Sequence, residues 1–422
     1  MRTKILNLRL LLLLCIGYIY INVAAHQEHF RTIYEWRYFD YKWKNASHKE
    51  AAIASGDYNY TKCVIIDADY SKDGRIFVTI IRNDGVPSSL NVISEQKGPG
   101  GPLLQPYPDW TWTKRGDCNG ITSVYRVAID RCNRLWVLDN GKIGQEVVCP
   151  AQLLVFDLAT NKLIKRVKIA NNLSQNSKTK IGRLVTIVVE TCGPRCAHTT
   201  VYMADITGYG LVIYDSDSEE IWRLESEVFR QDPTFTNYTI RGESFQLQDG
   251  ILGMAKHPYA PVLYFRPMSS RNMNSARTTE LKRSRYGAKV RYYTIRDVIP
   301  SQAAAMAISS DGVLFFGLPT ELSVACWNTC KPFNEDTLGI VAYDPDRFQF
   351  ASGVKIIPKD ITGANEELWI VTDRLQKVMT GTLNFTEINF RIMKADVTQL
   401  TDDTVCALPY DASDDHDEDY HR

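Results

Sequence analysis

Six tandem units, each offering about four apolar strands separated by polar turns, predict an all-β fold: a six-bladed β-propeller with about four strands per blade. An aromatic-rich strand at residues 32–39 precedes the first unit and has no local partner, so the ring is expected to be closed by this N-terminal strand. Length is the third observation. Roughly 400 residues remain after an export signal is removed, more than most single domains but suited to a closed, repeat-built β architecture.

The first unit runs through residues 64–69, the turn Ser71-Lys72-Asp73-Gly74 and residues 75–82, then through 90–94 toward Trp110 and Trp112. The second comprises 124–130, the turn Arg131-Cys132-Asn133, 135–139 and 153–158; the third comprises 184–190, 200–205, 211–215 and 221–224. The fourth has strands at 250–257 and 261–267, a segment near 276–281 and a strand at 289–295. The fifth has 303–309, the turn Ser310-Asp311-Gly312, 313–318, 323–327 and 339–343. The sixth offers only 354–357, 367–373 and 390–397, and residues 32–39 are assigned to its missing outer edge. Unit starts recur roughly every 50 to 67 residues, longer than the common propeller repeats, and the excess is read as loop at 98–102 and 171–180. No helix longer than a turn or two is expected, and residues 98–102 are candidates to plug the channel.

Arg2, Lys4 and Arg9 precede an apolar run over 10–23 and then Ala24 and Ala25, which reads as a signal peptide over residues 1–25. The propeller is expected over 26–406, followed by an acidic, disordered tail over 407–422 that carries Asp411, Asp414, Asp415, Asp417, Glu418 and Asp419. The formal charge of the whole chain is zero, and loss of the three basic residues leaves about −3, which gives no electrostatic case for nucleic acid. No second stretch approaches the roughly 18 apolar residues of a membrane span, so no membrane insertion is expected. Basic residues cluster between Arg271 and Arg291 as a solvated loop or a local anion-binding surface. Asn-x-Ser/Thr acceptors stand at Asn45, Asn59, Asn172, Asn237 and Asn384, and behind an export signal they predict glycosylation and secretion.

Ten cysteines are present, and Cys15 leaves with the signal, so at least one of the remaining nine is unpaired within the chain. Cys192/Cys196 and Cys326/Cys330 have C-x3-C spacing that suits metal ligands or disulfides; an exported chain with only seven histidines favours disulfides. No metal and no cofactor is expected.

The motif Pro106-Tyr107-Pro108-Asp109-Trp110, the run from Gly120-Ile121-Thr122-Ser123-Val124-Tyr125-Arg126 to Leu138-Asp139-Asn140-Gly141, and Leu153-Leu154-Val155-Phe156-Asp157-Leu158 resemble the insect Yellow/major royal jelly protein family. So do Tyr209-Gly210-Leu211, Asp249-Gly250-Ile251-Leu252-Gly253-Met254, Cys326-Trp327-Asn328 and Asn389-Phe390-Arg391-Ile392, in the same order across nearly the whole mature chain. The resemblance implies a secreted six-bladed propeller. It also implies a role among cuticle pigmentation, dopachrome conversion, biogenic-amine binding and nutrition. Cys63, Cys196 and Cys330 look additional to the commoner family pattern.

No hydrolase elbow, zincin helix, phosphate loop or dinucleotide fingerprint is present, and the histidines lie mostly at the chain ends or in loops. Asp139, Asp205 and Asp373 close second strands, and Arg82 and Arg266 occupy comparable places, where a propeller gathers loops around one rim of its channel. Such a ring could hold a small cationic or zwitterionic ligand, or the residues could cap turns and pair with one another. Trp327 and Asn328 offer an aromatic platform and an amide for an amine, although core packing accounts for Trp327 equally well. The expectation is a channel that binds a small amine or catechol-derived ligand, or an accessory role in pigmentation. The alternatives are a dopachrome-converting tautomerase or decarboxylase and a structural or nutritive protein.

Overall fold

Strands of three to nine residues alternate with turns along the chain, and in the computed structural model, which describes residues 29–407, they assemble into six four-stranded antiparallel sheets. The signal-peptide reading and the acidic tail from residue 408 lie outside the described residues. Sheet I contains Ile65–Tyr70, Ile76–Ile80, Leu90–Gly98 and Gly101–Pro106; sheet II contains Val124–Ile129, Arg134–Asp139, Gln152–Asp157 and Lys162–Lys168. Sheet III contains Leu184–Cys192, His198–Asp205, Gly210–Asp215 and Glu220–Glu225, and sheet IV Ile251–Lys256, Val262–Pro267, Met273–Arg277 and Tyr292–Ile295. Sheet V contains Met306–Ile308, Val313–Leu318, Ser323–Asn328 and Leu338–Tyr343. Sheet VI takes Phe350–Ile357, Glu367–Asp373 and Phe390–Asp396 from the end of the chain and Arg31–Trp36 from its start, the latter as its outer strand.

The first strands of the sheets lie side by side in cyclic order: I beside II, II beside III, and so on to VI, which lies beside I. This arrangement is propeller-like, and apolar clusters fill the spaces between neighbouring sheets. Trp136, Leu138 and Leu153 of sheet II pack with Leu184, Val201 and Val212 of sheet III. Phe315 and Val324 of sheet V pack with Val354, Leu368 and Met393 of sheet VI. Each sheet thus buries both faces against its neighbours, which explains why its central strands read as near-continuous apolar runs.

Three local expectations are corrected. Residues 98–102 are the tight turn of the outer hairpin of sheet I, packed on Trp36 and Tyr38 at the periphery, and so are no channel plug. Gly101 there has φ +141°, and a Cβ on it would lie 2.5 Å from the Trp36 ring. Ala46–Ala54 is a nine-residue helix capped by the Asn45 side chain, longer than expected. The third strand of sheet IV is Met273–Arg277, and Thr278–Arg283 is helical.

Candidate functional site

The first and second strands of five sheets share one irregularity. Their register slips near the start of the first strand, between Ile65 and Asp67, Val124 and Val127, Leu184 and Thr186, Ile251 and Gly253, and Ala351 and Gly353. A bulge bends its strand and re-aims the side chains beside it. Asp67, Arg126 and Thr186 stand within or directly after these bulges. All three line a cavity of about 270 Å³ whose wall takes residues from the first strands of all six sheets.

Most of that wall is apolar, with Leu252, Met254, Met306, Ile308 and Val354. Three buried polar atoms of its lining residues have no hydrogen-bond partner: Asp67 Oδ1, Arg126 Nε and Thr186 Oγ1. The other atoms of these groups are held. Asp67 Oδ2 accepts from the Val127 amide at 3.3 Å and pairs with Lys355 Nζ at 3.1 Å, while Arg126 Nη2 donates to the Ser352 carbonyl at 2.7 Å. The wall is tight around Asp67, because a Cβ on Gly353 would lie 2.9 Å from Asp67 Oδ1.

Burial dominates the electrostatics here. Desolvation raises the carboxyl of Asp67 against the opposing pull of Lys355 and Arg126, and it raises that of Asp69, 3.9 Å from Lys355, to about 6. Desolvation lowers the Arg126 guanidinium, while Asp67, Asp249 and Asp373 act to keep it charged. Asp249 is pushed up to about 6 and Asp373 to about 8, both mainly by burial. Neither Asp373 oxygen meets hydrogen-bond geometry, although the Ser352 hydroxyl and the Leu375 amide favour its charged form.

The two ends of the cavity differ. Where the first strands begin, a hairpin of Asn237–Ile240 and Glu243–Gln246 buries Tyr238 and Ile240 among Val185, Leu252, Ala304 and Phe350. Glu243 reaches Lys377 on the helix Leu375–Thr380 at 3.1 Å, which fastens the hairpin over that end. At the other end Ala128, Lys355 and Ile356 also line a second pocket of about 540 Å³, walled by Asp69, Tyr70, Asp130 and Ile361 among others.

None of the ligand-binding candidates Arg82, Asp139, Asp205, Arg266, Asp373, Trp327 and Asn328 lines either pocket. Asp139 accepts hydrogen bonds from the amides of Thr122, Ser123 and Gly141 and from Gln152 Nε2, and so organises the turn leading into its sheet. Asp205 pairs with Arg223 at 2.9 Å and accepts from the Arg183 and Gly208 amides. Arg266 lies over the Phe316 ring with Nη2 on the Ser270 carbonyl, and Arg82 donates to the Thr113 carbonyl. Trp327 packs edge-on to Tyr264 and Phe333, and Asn328 Nδ2 donates to the carbonyls of Cys406 and Ala407. Asp373 is also off the cavity wall, but its charge acts on Arg126. The sequence signal that would have found the cavity residues is a charge inside an apolar first strand, as with Asp67, Arg126 and Lys355.

Among the described residues the cysteines form three disulfides, Cys118–Cys149, Cys132–Cys196 and Cys326–Cys406, leaving Cys63 buried and Cys192 and Cys330 exposed as free thiols. Neither C-x3-C motif closes on itself. Asp130 lies within metal-ligand range of Cys132 and Cys196, but those sulfurs are bonded to each other, and Asp130 holds Arg134 and the Trp136 indole.

Fold, cavity and disulfides define a class: an all-β, disulfide-bonded, propeller-like protein with a small polar-centred cavity at its middle. The chain belongs to the major royal jelly protein family, whose model matches residues 122–406. It is similar to major royal jelly protein 9 of Apis mellifera, at 47% identity over 386 residues covering 90% of each chain. It is also similar to major royal jelly protein 8 of that species, at 43% identity covering 90% of this chain and 93% of the relative. Major royal jelly protein 1 is 37% identical, covering 95% and 96%. Among solved structures, a luciferin-regenerating enzyme aligns at a TM-score of 0.44 and 12% identity, covering 81% of this chain and 92% of that one, too distant to inform function.

Proposed function

We propose that this protein is a secreted, glycosylated six-bladed β-propeller, one domain over residues 26–406, that holds a small amine or catechol-derived ligand in its central channel. The observation that carries the reading is the cavity enclosed by all six first strands, where Asp67, Arg126 and Thr186 keep buried polar atoms without partners. Unpartnered buried polar atoms also occur elsewhere, as at Arg266 and Asp373, but three of them stand on residues of this one cavity wall, where a ligand could complement them. Three disulfides and five exposed sequon asparagines support secretion and glycosylation. The ligand-binding role moves from Arg82, Asp139, Asp205, Arg266, Trp327 and Asn328 to the channel residues, with Asp373 behind them.

Calorimetric titration of the secreted protein with serotonin, dopamine and dopachrome, with dopachrome absorbance followed in parallel, tests the reading. Saturable binding at one site without loss of dopachrome is the expected result. Accelerated loss of dopachrome would instead assign the channel to catalysis, and silence in both assays would favour a structural or nutritive role.

A further inference from the structure

The two charged groups with orphaned atoms in the cavity call for opposite complements. Asp67 Oδ1 needs a donor and Arg126 Nε–H needs an acceptor, while the Thr186 hydroxyl can serve as either. Both charged side chains are already anchored on their other atoms, so neither can turn to satisfy the other without giving up Val127, Lys355 or Ser352. Asp67 and Asp69 face Lys355 and Arg126 here, Asp249 and Asp373 also act on Arg126, and Lys256, also on the wall, is 3.5 Å from Glu190. A simple ammonium would engage Asp67 and leave Arg126 Nε unpaired. A simple carboxylate would do the reverse. Each leaves a buried polar group without a partner, the costly outcome for a site of this kind.

Resting on the reading of the channel as a ligand site, we infer that its ligand is a zwitterion, an α-amino acid with an apolar or aromatic side chain, whose ammonium is taken by Asp67 and whose carboxylate is taken by Arg126. The Thr186 hydroxyl completes the polar end, and Leu252, Met254, Met306 and Val354 receive the side chain. A volume of about 270 Å³ lies just under the roughly 300–1,000 Å³ of drug-sized pockets, which suits one molecule of this size.

The test uses the intact protein and four probes that differ only at the polar end: L-tyrosine, tyramine, L-tyrosine methyl ester and N-acetyl-L-tyrosine. Calorimetry is expected to give L-tyrosine roughly tenfold or more tighter binding than any of the other three, one charge-assisted hydrogen bond being lost in each. In Arg126→Met, checked for an unchanged circular dichroism spectrum, L-tyrosine and tyramine are expected to bind alike. Should that variant fail to fold, the four-probe ranking on the native protein decides alone. Tyramine or the ester binding as tightly as L-tyrosine would overturn the zwitterion inference and leave the channel reading standing. If none of the four binds and serotonin and dopamine are also silent, both fall; if only serotonin or dopamine binds, the zwitterion inference alone falls.

Discussion

At Asp139 a carboxylate with no exposed surface accepts three backbone amides and one side-chain amide, all within 3.1 Å. Removing it would strand four donors at once, so Asp139→Ala is expected to cost about 3 kcal/mol or more, read as a large fall in melting temperature with no direct effect on the cavity. Asp373 is the contrasting case: it is equally buried but without partners in hydrogen-bond geometry, and its carboxyl is raised to about 8. Because the folded state holds this proton more tightly than the unfolded state, its contribution is fully present below about pH 4 and is lost as pH rises toward 8. Asp373→Asn keeps the shape of the neutral acid. Thermal melts should therefore show the variant gaining on the native protein between pH 5 and pH 8; a constant difference across that range would contradict the assignment. Strand-end carboxylates were legible in the sequence as a recurring pattern, with turn capping and mutual pairing among the readings offered, and Asp139 and Asp205 take those roles. Their partners are backbone amides from the connections between sheets, which no spacing reveals.

Pairing across the two ends of the chain is the most exposed feature at the scale of single elements. The outer strand Arg31–Trp36 pairs with Phe390–Asp396, and Trp36 is fully buried with its indole N–H on the Pro102 carbonyl at 2.8 Å. Trp36→Ala is expected to destabilise the protein by roughly 3–5 kcal/mol and to raise proteolytic susceptibility at the N-terminus first. The strand order within each sheet was legible because apolar runs and polar turns alternate in every unit, and the unpartnered aromatic strand pointed to the last sheet. The hairpin turn at 98–102 was misread because Gly and Pro mark tight turns and long loops alike. The helix Ala46–Ala54 was missed because nine residues with little amphipathic pattern give no periodic signal. The bulges were invisible for a different reason: a one-residue slip is a property of two strands together, and it is the slip that brings Asp67, Arg126 and Thr186 to the cavity.

On the scale of the whole molecule, six similar sheets arranged cyclically create one space that no single sheet could enclose. The hairpin carrying Tyr238 covers one end of that space, and Ala128 stands where the cavity meets the second pocket. Ala128 is only partly buried, at the edge of the apolar cluster between sheets II and III, so a bulky side chain there would narrow the passage, and its effect on that cluster is read from the melting temperature. The most direct measurement is a calorimetric titration of the native protein and of Ala128→Trp with serotonin, dopamine and L-tyrosine, both proteins matched for melting temperature. Saturable one-site binding by the native protein that Ala128→Trp weakens roughly tenfold or more is the predicted result; undiminished binding by the variant, or no binding by either protein, would contradict the channel as the functional site.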